Sequence, residues 1–375
     1  MSQSPRVSIQ ECFSKLTDPR RRKVTYPLVN VVTIALCAVL CGADDFVAIA
    51  AFGHSQRQWL AKFLDLSTGI PSHDRFNAIL GALKVDEFQA CLLELITQLH
   101  EVTEGQIVAI DGKTLRRSFD RASSKSAIHM VSAWASANSI SLGQVVVDQK
   151  SNEITAIPRL LELLEISGCL VTIDAMGCQT EIAQAIVNAD ADYVLAVKYN
   201  QPTLAQGIND FFELHTNDEF AHVNFRHHTT DEKTHGRHAH REYYLCPVPD
   251  DLPDRRRWAK LAAIGMVYSR TVRDGKTCEE CRYYILSKYL SGKRFAEAVR
   301  EHWSIENRLH WQLDVTFQED LSRLRKANAD ANFSALRRTS LALLKNNASA
   351  KVGIKNKRLL AALDDAYRLE VLFGA

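Results

Sequence analysis

The sequence predicts a mixed α/β protein in which a helical region precedes a region built around a sheet. Apolar residues recur at helical spacing through residues 1–105, as in Trp59–Leu64 and Phe88–Leu99. From residue 106 the pattern changes to short runs rich in β-branched residues, such as Ile107–Ile110 and Leu170–Ile173. With 375 residues, 46% of them hydrophobic, the chain is long enough for two or three domains of roughly 100–200 residues each.

The most hydrophobic stretch, Leu28 to Ala43, predicts a buried helix rather than a membrane span. Asn30 and Thr33 interrupt it, and it is shorter than the ~20 residues that a bilayer requires. The first ten residues lack the features of a signal peptide. The nine cysteines are an odd number scattered along a large chain, which favours reduced thiols. We therefore expect a cytoplasmic protein with no membrane partner.

The order of elements after residue 105 predicts a particular sheet. Strands are expected at about 106–111, 127–136, 142–148, 170–174 and 193–198, with helices at about 154–166 and 180–189. The order β-β-β-α-β-α-β is that of a ribonuclease H-like core, a mixed sheet with helices on both faces. We expect this core over residues 106–330, interrupted by an insertion at about 199–290 that is mainly β-strands and loops. Residues 331–375 are expected to be helical and basic.

Three acidic residues occur where this layout could bring them together. Asp111 and Asp174 each end a predicted strand, and Glu306 lies in the amphipathic segment Phe295 to Leu313, predicted to be helical. Turn and cap roles explain single aspartates at strand ends, but two on this element order favour a shared site. Such carboxylates can hold two divalent cations about 3.5–4 Å apart for attack at a phosphodiester. The pattern therefore indicates an enzyme that acts on nucleic acid.

Any nucleic-acid surface must come from local clusters, because the net charge is only +2. The side chains placed to bind scissile-strand phosphates follow the first and fifth predicted strands of the core; they are Lys113, Arg116 and Arg117, then Lys198, Asn200 and Gln201. For each basic group taken alone, a solvated surface remains the alternative.

Four motifs carry a resemblance to a known family. They are Val108–Arg116, Lys150–Pro158, Thr172–Gln179 and His302–Trp311. In this order they resemble bacterial insertion-sequence transposases of the DDE type, in the group that includes the H-repeat-associated proteins. The wider group is the cut-and-paste superfamily that resembles insertion sequence four.

The resemblance implies DNA transposition by a two-metal nuclease and strand transferase. It places Asp111, Asp174 and Glu306 as metal ligands for two Mg²⁺ ions, with Mn²⁺ as a substitute. It also implies double-stranded DNA partners, namely the terminal inverted repeats and the target, a homodimer on DNA, and association with the bacterial nucleoid. The helical residues 1–105 are expected to be a DNA-binding or associated domain.

The chain departs from the wider superfamily around the glutamate. A Tyr, an Arg and a Lys are expected there, and Val299, His302 and Leu313 stand in their places. His302 and Arg308, with Arg300, are candidates to replace the missing phosphate contacts. Arg237, in the short family motif His235–Arg237, is a further candidate DNA contact.

Two other functions stay open at the level of sequence. One is a metal-dependent nuclease without strand transfer, and the other is a catalytically silent DNA-binding descendant of a transposase. The second is disfavoured because three mutually repelling carboxylates are retained. Cys278 and Cys281 form a lone Cys-x-x-Cys that favours no zinc site without a second ligand pair.

Overall fold

The computed structural model describes residues 9–21, 24–99, 106–114, 129–136, 140–147, 153–234 and 236–374. The chain divides into two compact units. Unit 1 comprises Met1–Val102, Gly112–Lys150 and Glu306–Ala375. Unit 2 comprises Thr103–Asp111 and Ser151–Ile305. The functional domains expected from sequence, 1–105, 106–330 and 331–375, stay a prediction.

Helices dominate both ends of the described chain, and strands lie between them. The helices are α1 Ile9–Ser14, α2 Leu28–Leu40, α3 Phe46–Ser55, α4 Arg57–Leu60, α5 His73–Ala82, α6 Val85–Leu99, α7 Glu153–Glu162, α8 Thr180–Asn188, α9 Pro202–Asn217, α10 Gly292–Ile305, α11 Trp311–Val315, α12 Ala329–Asn346, α13 Ile354–Leu363 and α14 Asp365–Phe373. A π-helix covers Glu306–His310, and 3₁₀ turns cover Arg255–Arg257 and Glu319–Leu321. The strands are β1 Ile107–Thr114, β2 His129–Ala135, β3 Ile140–Val147, β4 Leu170–Ile173, β5 Asp192–Val197, β6 Arg226–Thr234, β7 Arg237–Pro247, β8 Ala263–Arg273 and β9 Lys276–Leu286.

Unit 2 is built on a mixed sheet in the order β1-β4-β5-β9-β8-β7-β6. The pairs β1–β4 and β4–β5 are parallel, and every pair from β5–β9 to β7–β6 is antiparallel. Apolar residues of these strands pack with Phe295 and its neighbours on α10 into one buried cluster. This mixed α/β architecture confirms the predicted fold class, and the carboxyl ends of three parallel strands meet at one edge.

Unit 1 is mainly helical, as predicted for residues 1–105, with the antiparallel hairpin β2–β3. The predicted buried helix is α2, in which all residues but Val29 are buried. Ser72 caps α5 by accepting a hydrogen bond from the Arg75 N–H at 3.4 Å. None of the described helices is both long and apolar enough to cross a membrane.

The segment predicted as β-strands and loops begins with a helix, α9, which is a correction. Pro202 stands at its first turn, and Leu204, Ala205, Ile208 and Phe212 bury one face. Strand β6 was also missed, because its sequence Arg226–Thr234 is polar on both sides and offers no apolar alternation.

The C-terminal region is helical as predicted, but several of its cations are not on the surface. Arg337 and Arg368 are 1% exposed and Arg338 is 3% exposed. Lys357 and Arg358 are also buried. The sequence shows that this region is basic, but it does not show which of the cations face water.

Candidate active site

The structure places Asp111 and Asp174 next to each other on neighbouring parallel segments of unit 2. Strands β1 and β4 pair in parallel with Ile110 opposite Ile173. Asp111 is the next residue of β1, and Asp174 is the first residue after β4. Strand β1 continues to Thr114 rather than ending at Asp111 as predicted.

Asp174 is held by its own loop and is electrostatically coupled to Asp111. Its Oδ1 accepts hydrogen bonds from the N–H groups of Met176 at 3.0 Å and Gly177 at 3.3 Å. Burial raises the pKa of Asp174, and the negative charges of Asp111 and Glu153 raise it further. The hydrogen bond from the Gly177 N–H and the nearby His302 lower this pKa, but they do not cancel the rise. Two neighbouring carboxylates in a partly buried site favour a positive charge between them.

His302 lies beside this pair, on the last turn of α10. Its Nδ1 is 3.3 Å from the Thr172 Oγ1 on β4. Burial lowers the pKa of His302, while Asp111 and Asp174 act in the opposite direction. The imidazole is therefore favoured in its neutral form near the two carboxylates.

The loop after Asp174 is fixed by close contacts. A Cβ on Gly177 would meet the Ile173 Cγ2 at 2.3 Å, so a larger residue there would displace the loop. The Asn200 amide donates to the Ala175 carbonyl at 2.6 Å, and the Gln201 amide donates to the Cys178 carbonyl at 3.0 Å. Asn200 and Gln201 thus bind the loop backbone, a contact that the sequence did not reveal.

A cavity of about 310 Å³ lies next to Asp174 within unit 2. Its walls include Lys198, Tyr199 and Trp303 together with His302. Tyr199 is 90% exposed and Trp303 is 46% exposed. Exposed aromatic rings and a lysine beside carboxylates suit an anionic, ring-containing substrate.

Glu306 opens the π-helix rather than continuing an α-helix, which corrects the prediction of one amphipathic helix. Glu306 is exposed, whereas His310 is 5% exposed. The five-residue π-helix interrupts the 3.6-residue spacing on which that prediction depended. π-Helical turns occur often at functional sites.

Lys113 has partners within unit 1. Its Nζ pairs with Asp314 and lies 3.0 Å from the Glu319 Oε2, and its side chain is 10% exposed. The lysine therefore ties the end of β1 to a buried carboxylate. Its predicted DNA contact stays a prediction without support from this geometry.

Three other predicted DNA contacts lie among the described residues. Lys198, Arg237 and Arg308 are exposed, and Arg237 begins β7. Arg116 and Arg117 lie outside the described residues.

Cys278 and Cys281 do not form a metal pair. Both are exposed on β9, and residues three apart in a strand point to opposite faces. In the described ranges, no group of three or more His, Cys, Asp or Glu side chains is arranged to hold a metal ion.

Sequence reasoning missed several residues around the cavity. Thr172 contacts His302, and the Arg282 guanidinium lies 4.6 Å from the centre of the Trp303 ring. Tyr199 and Trp303 each adjoin a residue already singled out, Lys198 and His302. The sequence could have indicated these two cavity residues, because each is an aromatic residue next to a predicted site residue.

Comparison with known proteins identifies the family of this chain. The "Transposase DDE domain" model matches residues 103–343, and the "DDE_Tnp_1-associated" model matches residues 10–96. The chain therefore belongs to the DDE transposase family.

Two relatives match over nearly the whole chain. "Putative transposase YncI" of Escherichia coli O157:H7 is 40% identical, covering 97% of this chain and 94% of that protein. "H repeat-associated putative transposase YhhI" of Escherichia coli K12 is 36% identical, covering 98% of each chain. These relatives agree with the H-repeat-associated group that the motifs indicated.

Proposed function

We propose that this protein cleaves DNA at the ends of a mobile element and joins the freed 3′ hydroxyl to target DNA. The observation that carries the proposal is the pair Asp111 and Asp174, each directly after the paired segment of two parallel strands. Burial raises the pKa of Asp174, and the charge of Asp111 raises it further. The cavity beside Asp174, with its lysine and exposed aromatic walls, supports a nucleic-acid substrate.

The donor set fits divalent cations. The two aspartates offer hard oxygen ligands, which suit Mg²⁺ with Mn²⁺ as a substitute. Two bound ions would activate the attacking hydroxyl and stabilise the leaving oxygen. In this proposal Asp111, Asp174 and Glu306, the residue that follows α10, would be the carboxylates that hold these ions.

The protein groups around the pair orient it. The Met176 and Gly177 N–H groups engage one oxygen of Asp174 and leave the other for a cation. His302 remains neutral beside the carboxylates and adds no positive charge that would compete with cations. Lys198 lines the cavity, and in this proposal it would contact a phosphate.

The remaining parts of the proposal concern organisation. Residues 106–330 would form the ribonuclease H-like catalytic core with its insertion, and residues 1–105 would assist DNA binding. Arg237 and Arg308 are further proposed DNA contacts. Because transposition pairs two element ends, the protein is expected to act as a homodimer on its terminal inverted repeats.

The test is strand cleavage and joining on a labelled duplex that carries the repeats flanking the gene, with Mg²⁺ or Mn²⁺. Asp111→Asn, Asp174→Asn and Glu306→Gln are each expected to lower both rates about a hundredfold or more, because several kcal/mol of charge stabilisation are lost. DNA binding should persist. Glu181→Gln, at an exposed acid on α8, is the control.

Each contrary result is informative. Activity that survives Glu306→Gln would remove Glu306 from the metal ligands. Nicking without joining would indicate a metal-dependent nuclease. Tight binding with no cleavage by the wild type would indicate a silent DNA-binding descendant.

A further inference from the structure

Four antiparallel strands of unit 2 extend beyond the edge that carries the aspartates. Strand β5 ends at Val197, which pairs with Tyr283 on β9. Lys276, the first residue of β9, lies seven residues further out, about 23 Å along the strand. We define the blade as the outer parts of β6 to β9, residues 229–233, 237–242, 268–273 and 276–281.

A row of like charges crosses the end of the blade. Arg237 on β7 lies directly opposite Arg273 on β8, and Arg273 lies directly opposite Lys276 on β9. All three side chains are exposed, and they line one surface depression. Residues directly opposite on antiparallel strands have Cβ atoms about 4.5–5.5 Å apart, so like charges there destabilise the sheet.

Cations nearer the middle of the same face are neutralised within the protein. Arg241 pairs with Glu232 at 2.9 Å, and Arg282 pairs with Glu280 at 2.7 Å. In the outer row, Arg273 has Asp274 at 3.6 Å. Among the described residues, neither Arg237 nor Lys276 forms an ion pair with a carboxylate. Toward the outer end of the blade, the cations thus change from side chains with short ion pairs to one with a longer ion pair, Arg273, and two with none among the described residues.

This row lies on the sheet face that α10 covers. Side chains an even number of residues apart on a strand share a face, so Arg237, Arg273 and Lys276 lie on the face of Tyr243, Gly265 and Tyr284. Phe295 of α10 packs on that face: its ring centroid is 6.2 Å from that of Tyr243 and 5.5 Å from that of Tyr284. The basic row and the helix that carries His302 therefore belong to one side of unit 2.

We propose that Arg237, Arg273 and Lys276 form a phosphate-binding row that holds duplex DNA about seven base pairs beyond the end of β5, given a rise of about 3.4 Å per base pair. This inference rests on the proposed function. The neighbouring positions on this face, such as Ala239, Thr271 and Cys278, carry no large apolar side chain. Duplex DNA therefore fits better than a protein partner, whose interface would need an apolar centre.

The experiment compares two matched double variants by DNA binding over a range of salt concentrations. Arg273→Gln with Lys276→Gln removes two charges from the row. Lys233→Gln with Arg270→Gln removes two exposed charges from the opposite face of the blade. The probe is a fluorescent duplex bearing the flanking repeats, and circular dichroism checks that each variant is folded.

The row variant is expected to reduce the slope of log K against log salt by about 1.8, because each lost phosphate contact removes about 0.9. The control should keep the wild-type slope. Wild type should also gain affinity when the duplex is extended, on one side, from about four to about ten base pairs beyond the cleavage position, and the row variant should not. Arg237→Gln should reduce the slope by about half as much.

An unchanged salt slope for the row variant, or equal reductions of the slope in both double variants, would contradict the phosphate-binding row. Either result would leave the proposed activity intact. Binding without metal-dependent nicking would overturn the proposed activity, and the slope comparison would still test the row. A wild-type protein that binds no duplex would overturn both.

Discussion

The position of the Asp174 carboxylate is set mainly by the loop that follows β4, since Asp174 lies just outside that strand. Strand β4 ends at Ile173, and the following loop is held by the Asn200 and Gln201 amides. Because reacting groups must be placed within fractions of an ångström, such amides act on catalysis by positioning the loop. This role differs from the phosphate contact that their place after β5 suggested.

The two roles for Asn200 can be separated. Asn200→Ala removes the bond to Ala175, and we expect the single-turnover nicking rate at saturating DNA to fall roughly tenfold to a hundredfold, because the Asp174 loop is displaced. The dissociation constant for DNA and its salt dependence should stay unchanged. Gln184→Ala, which removes an exposed amide bonded to Asn188 on α8, is the control. A weaker affinity with a normal saturated rate would instead favour a phosphate contact.

The aspartate pair was predictable because it depends on local pattern. Each aspartate directly follows an apolar run, and the parallel pairing of these two runs brings the acids together. Lys113 was not predictable in this way. Its partners Asp314 and Glu319 lie far along the chain, and sequence pattern does not report which distant carboxylate a lysine meets.

At the scale of elements, helix α10 packs closely against the sheet through Phe295. A Cβ on Gly265 of β8 would meet the Phe295 Cζ at 2.6 Å. The absence of a side chain at this position lets the tip of the Phe295 ring approach the strand closely. Because α10 carries His302, this packing also positions the site.

Enlarging Gly265 should therefore disturb both stability and activity. Gly265→Ala is expected to lower the free energy of unfolding by about 1–3 kcal/mol through overpacking. Phe295→Leu added to it should recover part of that loss, giving a coupling of about 0.5–3 kcal/mol. Urea unfolding of the wild type, both single variants and the double variant measures this coupling energy. Strict additivity of the two changes in unfolding free energy would contradict the packing argument. Gly353→Ala is the control, because a Cβ there would meet nothing within 4 Å.

The elements predicted best were those with clear periodicity. Helix α2 and strands β1 and β4 have long or β-branched apolar runs, and they occur where expected. Strand β6 was missed because an edge strand with few apolar residues lacks that signal. The π-helix at Glu306–His310 was missed because one extra residue per turn cannot be read from a 3.6-residue period.

At the scale of the whole molecule, buried charges organise unit 1. Glu319 is fully buried, and its carboxylate accepts hydrogen bonds from Ser334 at 2.6 Å, Lys113 at 3.0 Å and Arg338 at 3.1 Å. These contacts join the end of β1 to α12. Charges that looked like a DNA-binding surface in the sequence thus serve the interior of the fold.

This cluster makes stability depend on pH in a defined direction. Burial opposes ionisation of Glu319, but Arg338, Lys113 and Arg337 hold its pKa well below the usual value of 4.5. The unfolded chain therefore binds a proton at pH values where the folded protein keeps the carboxylate ionised. The stabilisation is complete above about pH 4.5 and declines as the pH falls below it.

Glu319→Gln should lower the free energy of unfolding by about 3–5 kcal/mol at pH 7, because it leaves buried cations without their carboxylate. The difference between wild type and variant should narrow as the pH falls below 4.5, which urea unfolding at several pH values would measure. Glu94→Gln breaks the exposed pair with Lys15 and should change stability little at any pH. A Glu319→Gln difference that stays constant with pH would mean that lost packing, rather than the ionised carboxylate, accounts for the effect.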